Sequence, residues 1–111
     1  MPGNAIFVVT QLPDRDSARA LARRLVERRL AACVNIGTQV DSLYHWRGQF
    51  ETTQEYPVVI KTSGARYAEV EAEIRANHPY ELPEIVVVPI ADGLPAYLSW
   101  IDAETARDTR A

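Results

Sequence analysis

Glu84-Ile85-Val86-Val87-Val88-Pro89-Ile90 is an apolar, β-branched run of strand length, with three successive valines at its centre. Successive side chains of a strand point to opposite faces, so such a run needs both faces of its sheet covered. Val58-Val59-Ile60, inside Glu55-Tyr56-Pro57-Val58-Val59-Ile60-Lys61-Thr62, makes the same demand. Ala5-Ile6-Phe7-Val8-Val9-Thr10 reads as a third buried strand.

Helical spacing fills the gaps between these runs. Ala18, Leu21, Ala22, Leu25 and Val26 form one apolar face, and Arg15, Arg19, Arg23 and Glu27 lie largely opposite. That helix starts at an Asp14 or Asp16 cap and ends near Arg29. Residues 31–47 then read as one long bent strand, kinked at Gly37, with alternation through Val40, Ser42, Tyr44 and Trp46. A turn at Gly48 joins it to the Glu55–Thr62 run as a hairpin, and Pro57 belongs at a bulge or an open edge. A second helix places Tyr67, Val70 and Ile74 inward, leaves Glu69, Glu71, Glu73 and Arg75 solvated, and stops at Asn77-His78-Pro79. Leu94, Tyr97, Leu98 and Ile101 give a short third helix, with a polar tail from about Thr105.

The order predicts an α+β fold, βαββαβ plus a terminal helix, with both long helices on one face of an antiparallel sheet. A terminal helix of about ten residues is small cover for the other face, so a second copy is expected there.

Composition narrows the function. The chain of 111 residues fits a single domain, 1–111, and a net charge of −3 argues against nucleic acid and anionic membrane as partners. No apolar run reaches the roughly 18–20 residues that span a bilayer. Met1-Pro2-Gly3-Asn4 does not read as the start of a secretory signal, and Cys33 is the only cysteine, so the cytoplasm is the expected compartment.

Few residues offer chemistry. Cys33, in an apolar strand, reads either as a small buried hydrophobe or as a soft metal ligand. His78 stands where a helix ends and suits a C-cap, yet Tyr80, Glu81 and Glu84 follow it closely and an imidazole with carboxylates can hold a divalent metal. Lys61, the one lysine, suits an anionic group or an ion pair with Glu55. Tyr44, Trp46, Tyr80, Tyr97 and Trp100 read as core or interface anchors. No nucleophile–base pair and no Gly-rich phosphate loop can be read, so no enzyme is expected.

Three stretches together resemble one family: Arg29-Leu30-Ala31-Ala32-Cys33-Val34-Asn35-Ile36, Ser42-Leu43-Tyr44-His45-Trp46-Arg47-Gly48 and His78-Pro79-Tyr80-Glu81-Leu82-Pro83-Glu84-Ile85. With Lys61-Thr62 and Tyr97-Leu98-Ser99-Trp100-Ile101, the pattern is similar to the CutA divalent-cation-tolerance family from about Ala5 to Ile101. The resemblance implies a ferredoxin-like homotrimer of the PII type, without catalytic residues, and a link to copper or another divalent cation. It implies Cys33 and His78 as metal candidates, and Trp46, Lys61, Tyr80, Glu81 and Glu84 as the lining of clefts between subunits. With a single cysteine, a multi-thiolate copper site would need ligands from several subunits. The alternatives are a PII-type small-ligand sensor without physiological metal and an acylphosphatase-like hydrolase. The latter needs a Gly-rich anion loop where Gln11-Leu12-Pro13-Asp14 stands. An RNA-binding module shares the element order, but the chain has no Lys/Arg-Gly-aromatic motif on a central strand.

Overall fold

A computed structural model describes residues 5–106. The elements run β1 (Ala5–Leu12), α1 (Arg15–Glu27), β2 (Cys33–Ile36), β3 (Val40–Trp46), β4 (Gln49–Ser63), a 3-10 turn (Gly64–Arg66), α2 (Tyr67–Asn77), β5 (Val86–Pro89) and α3 (Pro95–Glu104). The sheet order is β2-β4-β1-β5, every pairing antiparallel, with β3 continuing on the outer half of β4. This is the ferredoxin-like arrangement, with α1 and α2 over one face.

Local chemistry sets the helix ends. Asp14 caps α1, its carboxylate accepting from the Ser17 N–H at 2.7 Å. At the other end Arg29 takes φ 59°, and the N–H groups of Arg29 and Leu30 donate to the carbonyls of Val26 and Leu25. That is a Schellman closure without glycine. Between them Ala18, Leu21 and Leu25 are buried against Val8, Leu12, Val58 and Ile60 of the sheet and Val70 and Ile74 of α2.

The helix faces carry one surprise. Glu73, read as solvated, keeps only 10% of its side chain exposed, because Arg24 and Arg28 of α1 both pair with it. It ties the two helices together above the core.

The long bent strand is in fact two strands, β2 and β3, broken over residues 37–39. Opposite the break lies Pro57, inside β4 rather than on an edge. Pro57 accepts from the Gly37 N–H at 2.8 Å, so its missing donor faces the break and leaves no β2 carbonyl waiting. A Cβ on Gly37 would meet Pro57 Cγ at 2.9 Å. Glycine and proline thus fit one another where one strand ends and the next begins. Beyond the break, β3 and β4 form a hairpin closed by Arg47 (φ 53°) and Gly48 (φ 80°), the two left-handed residues of a type I′ turn.

The two sheet faces are unequal. Val8, Val58 and Ile60 on the helix face are fully buried. Register places Val9, Val59 and Val86 side by side on the other face, where Val86 is 47% exposed and Val9 and Val59 are half-buried. α3 closes only one end of that face, through Leu98 and Ile101 against Ala5. Thr105, read as the start of a polar tail, is buried and belongs to this end; residues 107–111 of that tail lie outside the described residues.

Candidate functional site

The hairpin rises past the sheet, and the segment from Tyr80 to Val86 runs alongside it. Between them lies a cleft of about 830 Å³. Two of its walls follow from strand parity. Ser42, Tyr44 and Trp46 share one face of β3, and Thr53 and Glu55 share the matching face of β4. The Tyr44 hydroxyl and Thr53 Oγ1 lie 2.7 Å apart across the hairpin.

His78 positions a further wall, the Tyr80 loop. It is the C-cap residue of α2, but its side chain does not cap the helix. Nε2 lies 2.6 Å from the Gln11 carbonyl of β1, and Nδ1 accepts the Tyr80 N–H at 3.2 Å. Those partners fit the neutral tautomer with the proton on Nε2. Both ring nitrogens are therefore engaged, and the ring packs on Tyr80 at 4.7 Å between centroids. His78 holds the Tyr80 loop against β1, and a metal would have to displace one of these bonds.

The sequence candidates divide accordingly. Trp46, Tyr80, Glu81 and Glu84 line one cleft, joined by Gln11, Tyr44, Thr53 and Glu55. Glu81 also pairs with Arg47 of the hairpin turn at 2.6 Å, holding the loop to the hairpin tip. Lys61 is not at this cleft within one chain. It lies six residues along β4 from Glu55, about 20 Å of strand, and makes no ion pair with it. Its ammonium instead sits 5.7 Å from the Tyr97 ring and 6.0 Å from the Phe7 ring. Cys33 is opposite Lys61 in register, half-buried, whereas His78 touches β1 at the level of Pro57. Four residues of strand, roughly 13 Å, separate those levels, so one chain does not bring Cys33 and His78 together. Among the described residues no cluster of three or more His, Cys, Asp or Glu is placed to hold a metal ion. Nor are the aromatic anchors core residues of the single chain. Tyr44, Trp46, Tyr97 and Trp100 are 36–41% exposed.

Two residues escaped the sequence reading. Glu55, considered only as a partner for Lys61, is 7% exposed on the cleft floor. Gln11 lines the same floor with a buried Oε1 that has no hydrogen-bond partner. Strand parity between Gln11, Pro57 and Glu55 was the available signal, once the β1–β4 register was known.

Electrostatics follow from this crowding. Burial, helped by the Glu55 carboxylate, pushes the Tyr80 hydroxyl up to about 12, so it stays protonated. That hydroxyl faces Glu55 but stops short of a formed hydrogen bond. Partial desolvation at the cleft, then repulsion from Glu55, raises the Glu84 carboxyl above its ordinary value. A raised native value means the fold binds this proton more tightly than the unfolded chain does. Stability then falls as pH rises through that raised value, and the penalty persists at neutral pH. Glu84→Gln should therefore raise Tm at pH 7 and give no gain below the carboxylate range. The gain should be small, since more than a third of the residue remains in water. Thermal melts at both pH values check this, and an equal gain in acid would show that ionisation is not its cause.

Fold and cleft together define a class: ferredoxin-like α+β proteins with an overlong central hairpin and an acidic, aromatic-walled cleft at its base. Within it, residues 6–104 match the family model described as CutA1 divalent ion tolerance protein. The chain belongs to that family. It is 41% identical to the divalent-cation tolerance protein CutA of Thermus thermophilus over 98 residues, covering 88% of this chain and 95% of that one. Protein CutA of mouse is 36% identical over 95% of this chain, which spans 59% of the mouse protein. Among solved structures, CutA from Xylella fastidiosa superposes with a TM-score of 0.89 at 40% identity, covering 92% of this chain and 98% of that one. CutA1 from Shewanella sp. SIB1 gives 0.91 at 38% identity, covering 94% and 97%.

Proposed function

We propose that the protein is a non-catalytic homotrimer linked to divalent-cation tolerance, and that it takes a small ligand in the cleft between its hairpin and the Tyr80–Val86 segment. The observation that carries this reading is the cleft floor, where Gln11 Oε1 and the Tyr80 hydroxyl are buried without a hydrogen-bond partner beside the buried Glu55 carboxylate. Assembly is supported by the half-open valine face and by Leu43 and Phe50, both 62% exposed on the hairpin. Three copies packed on that face would bring hairpins and clefts to subunit boundaries. The single cysteine suits a reducing compartment, and the cytoplasm is part of the proposal.

Copper at Cys33 and His78 is the second reading, supported by the family's name and by the soft donors themselves. The engaged ring of His78 favours the cleft reading over it. One preparation tests both. Light scattering at micromolar concentration should give three times the 12.4 kDa chain mass, and a monomer would end the assembly reading. In copper(II) titrations, His78→Ala should bind as the unsubstituted protein does. A tenfold or greater loss would restore His78 as a ligand.

A further inference from the structure

The cleft floor identifies what it can hold. Gln11 is opposite Pro57 across β1 and β4, and Glu55 is two residues earlier on the same face, so the two are diagonal neighbours. The Tyr80 hydroxyl faces Glu55 from the loop. A buried polar group left without a partner costs about 1–3 kcal/mol. A fold that lines one cleft floor with a carboxylate, an amide oxygen and a hydroxyl is suited to something that donates hydrogen bonds.

Charge gives the sign of the occupant. Among the described residues of one chain, Glu55, Glu81 and Glu84 line the cleft and no Lys, Arg or His does; Arg47 pairs with Glu81 at the rim. The walls give its body. Leu43, Tyr44, Trp46, Leu82 and Ile85 are apolar or aromatic. They cannot complete the oxygen shell of a hard dication, which takes six or more ligands for calcium. A primary ammonium has three N–H donors, and an alkyl stem is content against hydrocarbon and aromatic faces.

We propose that the cleft binds a primary ammonium group on a short apolar chain. The –NH3+ donates to Glu55, to Gln11 Oε1 and to the Tyr80 oxygen, and the chain lies along Trp46 and Leu82. This rests on the reading of the cleft as a ligand site. A free alkylamine and a lysine side chain of another protein share this chemistry.

The test is a heteronuclear NMR titration of the intact, assembled protein with n-butylammonium chloride, n-butanol and an acetylated, amidated Gly-Lys-Gly peptide. Butylammonium should shift the Gln11 side-chain amide, the Trp46 indole and the Tyr80 backbone amide with a saturating curve. Butanol should bind at least roughly tenfold more weakly, the loss expected when charged hydrogen bonds are missing. Glu55→Gln should weaken the amine by a similar factor and leave butanol unchanged. Gln11→Leu, a second variant at the floor, should weaken it too, and thermal melts establish that both variants are folded. Tighter binding of the peptide than of butylammonium supports the site and assigns it to a lysine-bearing partner; the reverse order supports it and assigns it to a free amine. Equal binding of butanol and butylammonium, or an amine affinity unchanged in both variants, overturns the ammonium inference while the cleft remains a ligand site. If none of the three probes moves a cleft resonance, both readings fall.

Discussion

Val86→Asp is expected to leave single folded chains where the proposed assembly would hold three copies together. Val86 is opposite Val9, and Val9 is opposite Val59, so the three form an apolar row across β5, β1 and β4 on the face without helices. At 47% exposure a carboxylate there costs an isolated chain little, because it can still reach water. Once a second copy covers the row, the same carboxylate is buried without a partner. An uncompensated buried charge is worth about 3–5 kcal/mol, and every copy carries one. That is a loss of about a hundredfold to several thousandfold in association for each covered site. Light scattering should report the single-chain mass, with far-UV circular dichroism unchanged. Val26→Asp is the control, since Val26 is 43% exposed but belongs to α1, away from the row. An assembled Val86→Asp variant would show that copies do not meet on this face.

The basis of that expectation was legible in the sequence. Three consecutive valines cannot all face inward in a sheet with helices on one side, and all three remain exposed on β5. Val87 on the helix face is included, so that edge strand is short of cover on both faces. Helix positions were equally legible, because Leu21, Leu25, Val70 and Ile74 repeat at helical spacing and are all buried. The break at Gly37 was harder. Residues 33–36 and 40–46 both pair with β4, so local alternation persists through a discontinuity that only the opposing Pro57 explains. Of the site, the loop half was readable, since Tyr80, Glu81 and Glu84 are crowded in sequence. The floor was not. Gln11 and Glu55 are 44 positions apart and become neighbours only through strand register. Lys61 misled for the complementary reason: it shares a strand face with Glu55, but too far along it to meet.

Arg66→Ala should destabilise the fold by about 1.5–3 kcal/mol, the range for hydrogen bonds made by a charged group. Nothing in its flanking sequence marks Arg66 as different from the eleven other basic side chains, yet it is 8% exposed. Its Nε donates to the Thr105 carbonyl at 2.9 Å and its Nη1 to Glu69 at 2.7 Å. Thr105 in turn donates from Oγ1 to the Ile101 carbonyl at 2.9 Å and lies 3.2 Å from Ser63 Oγ. The guanidinium therefore clamps the end of α3 to the turn that opens α2, while Arg29 pairs with Glu104 outside at 2.8 Å. Truncation leaves a buried carbonyl without a donor and a void where the side chain was. Arg66→Lys should not recover the loss, because one ammonium cannot reproduce two separated, planar donors. Hydrogen exchange should localise the effect, with amides of Leu98 and Ile101 opening faster than those of Val8 and Ile60. Since Leu98 and Ile101 of α3 pack with Ala5 at the helix-free face, release of α3 would also loosen the face on which copies are expected to meet. A change below about 0.5 kcal/mol, the scale of an ordinary surface substitution, would show that α3 is held by Leu98 and Ile101 alone.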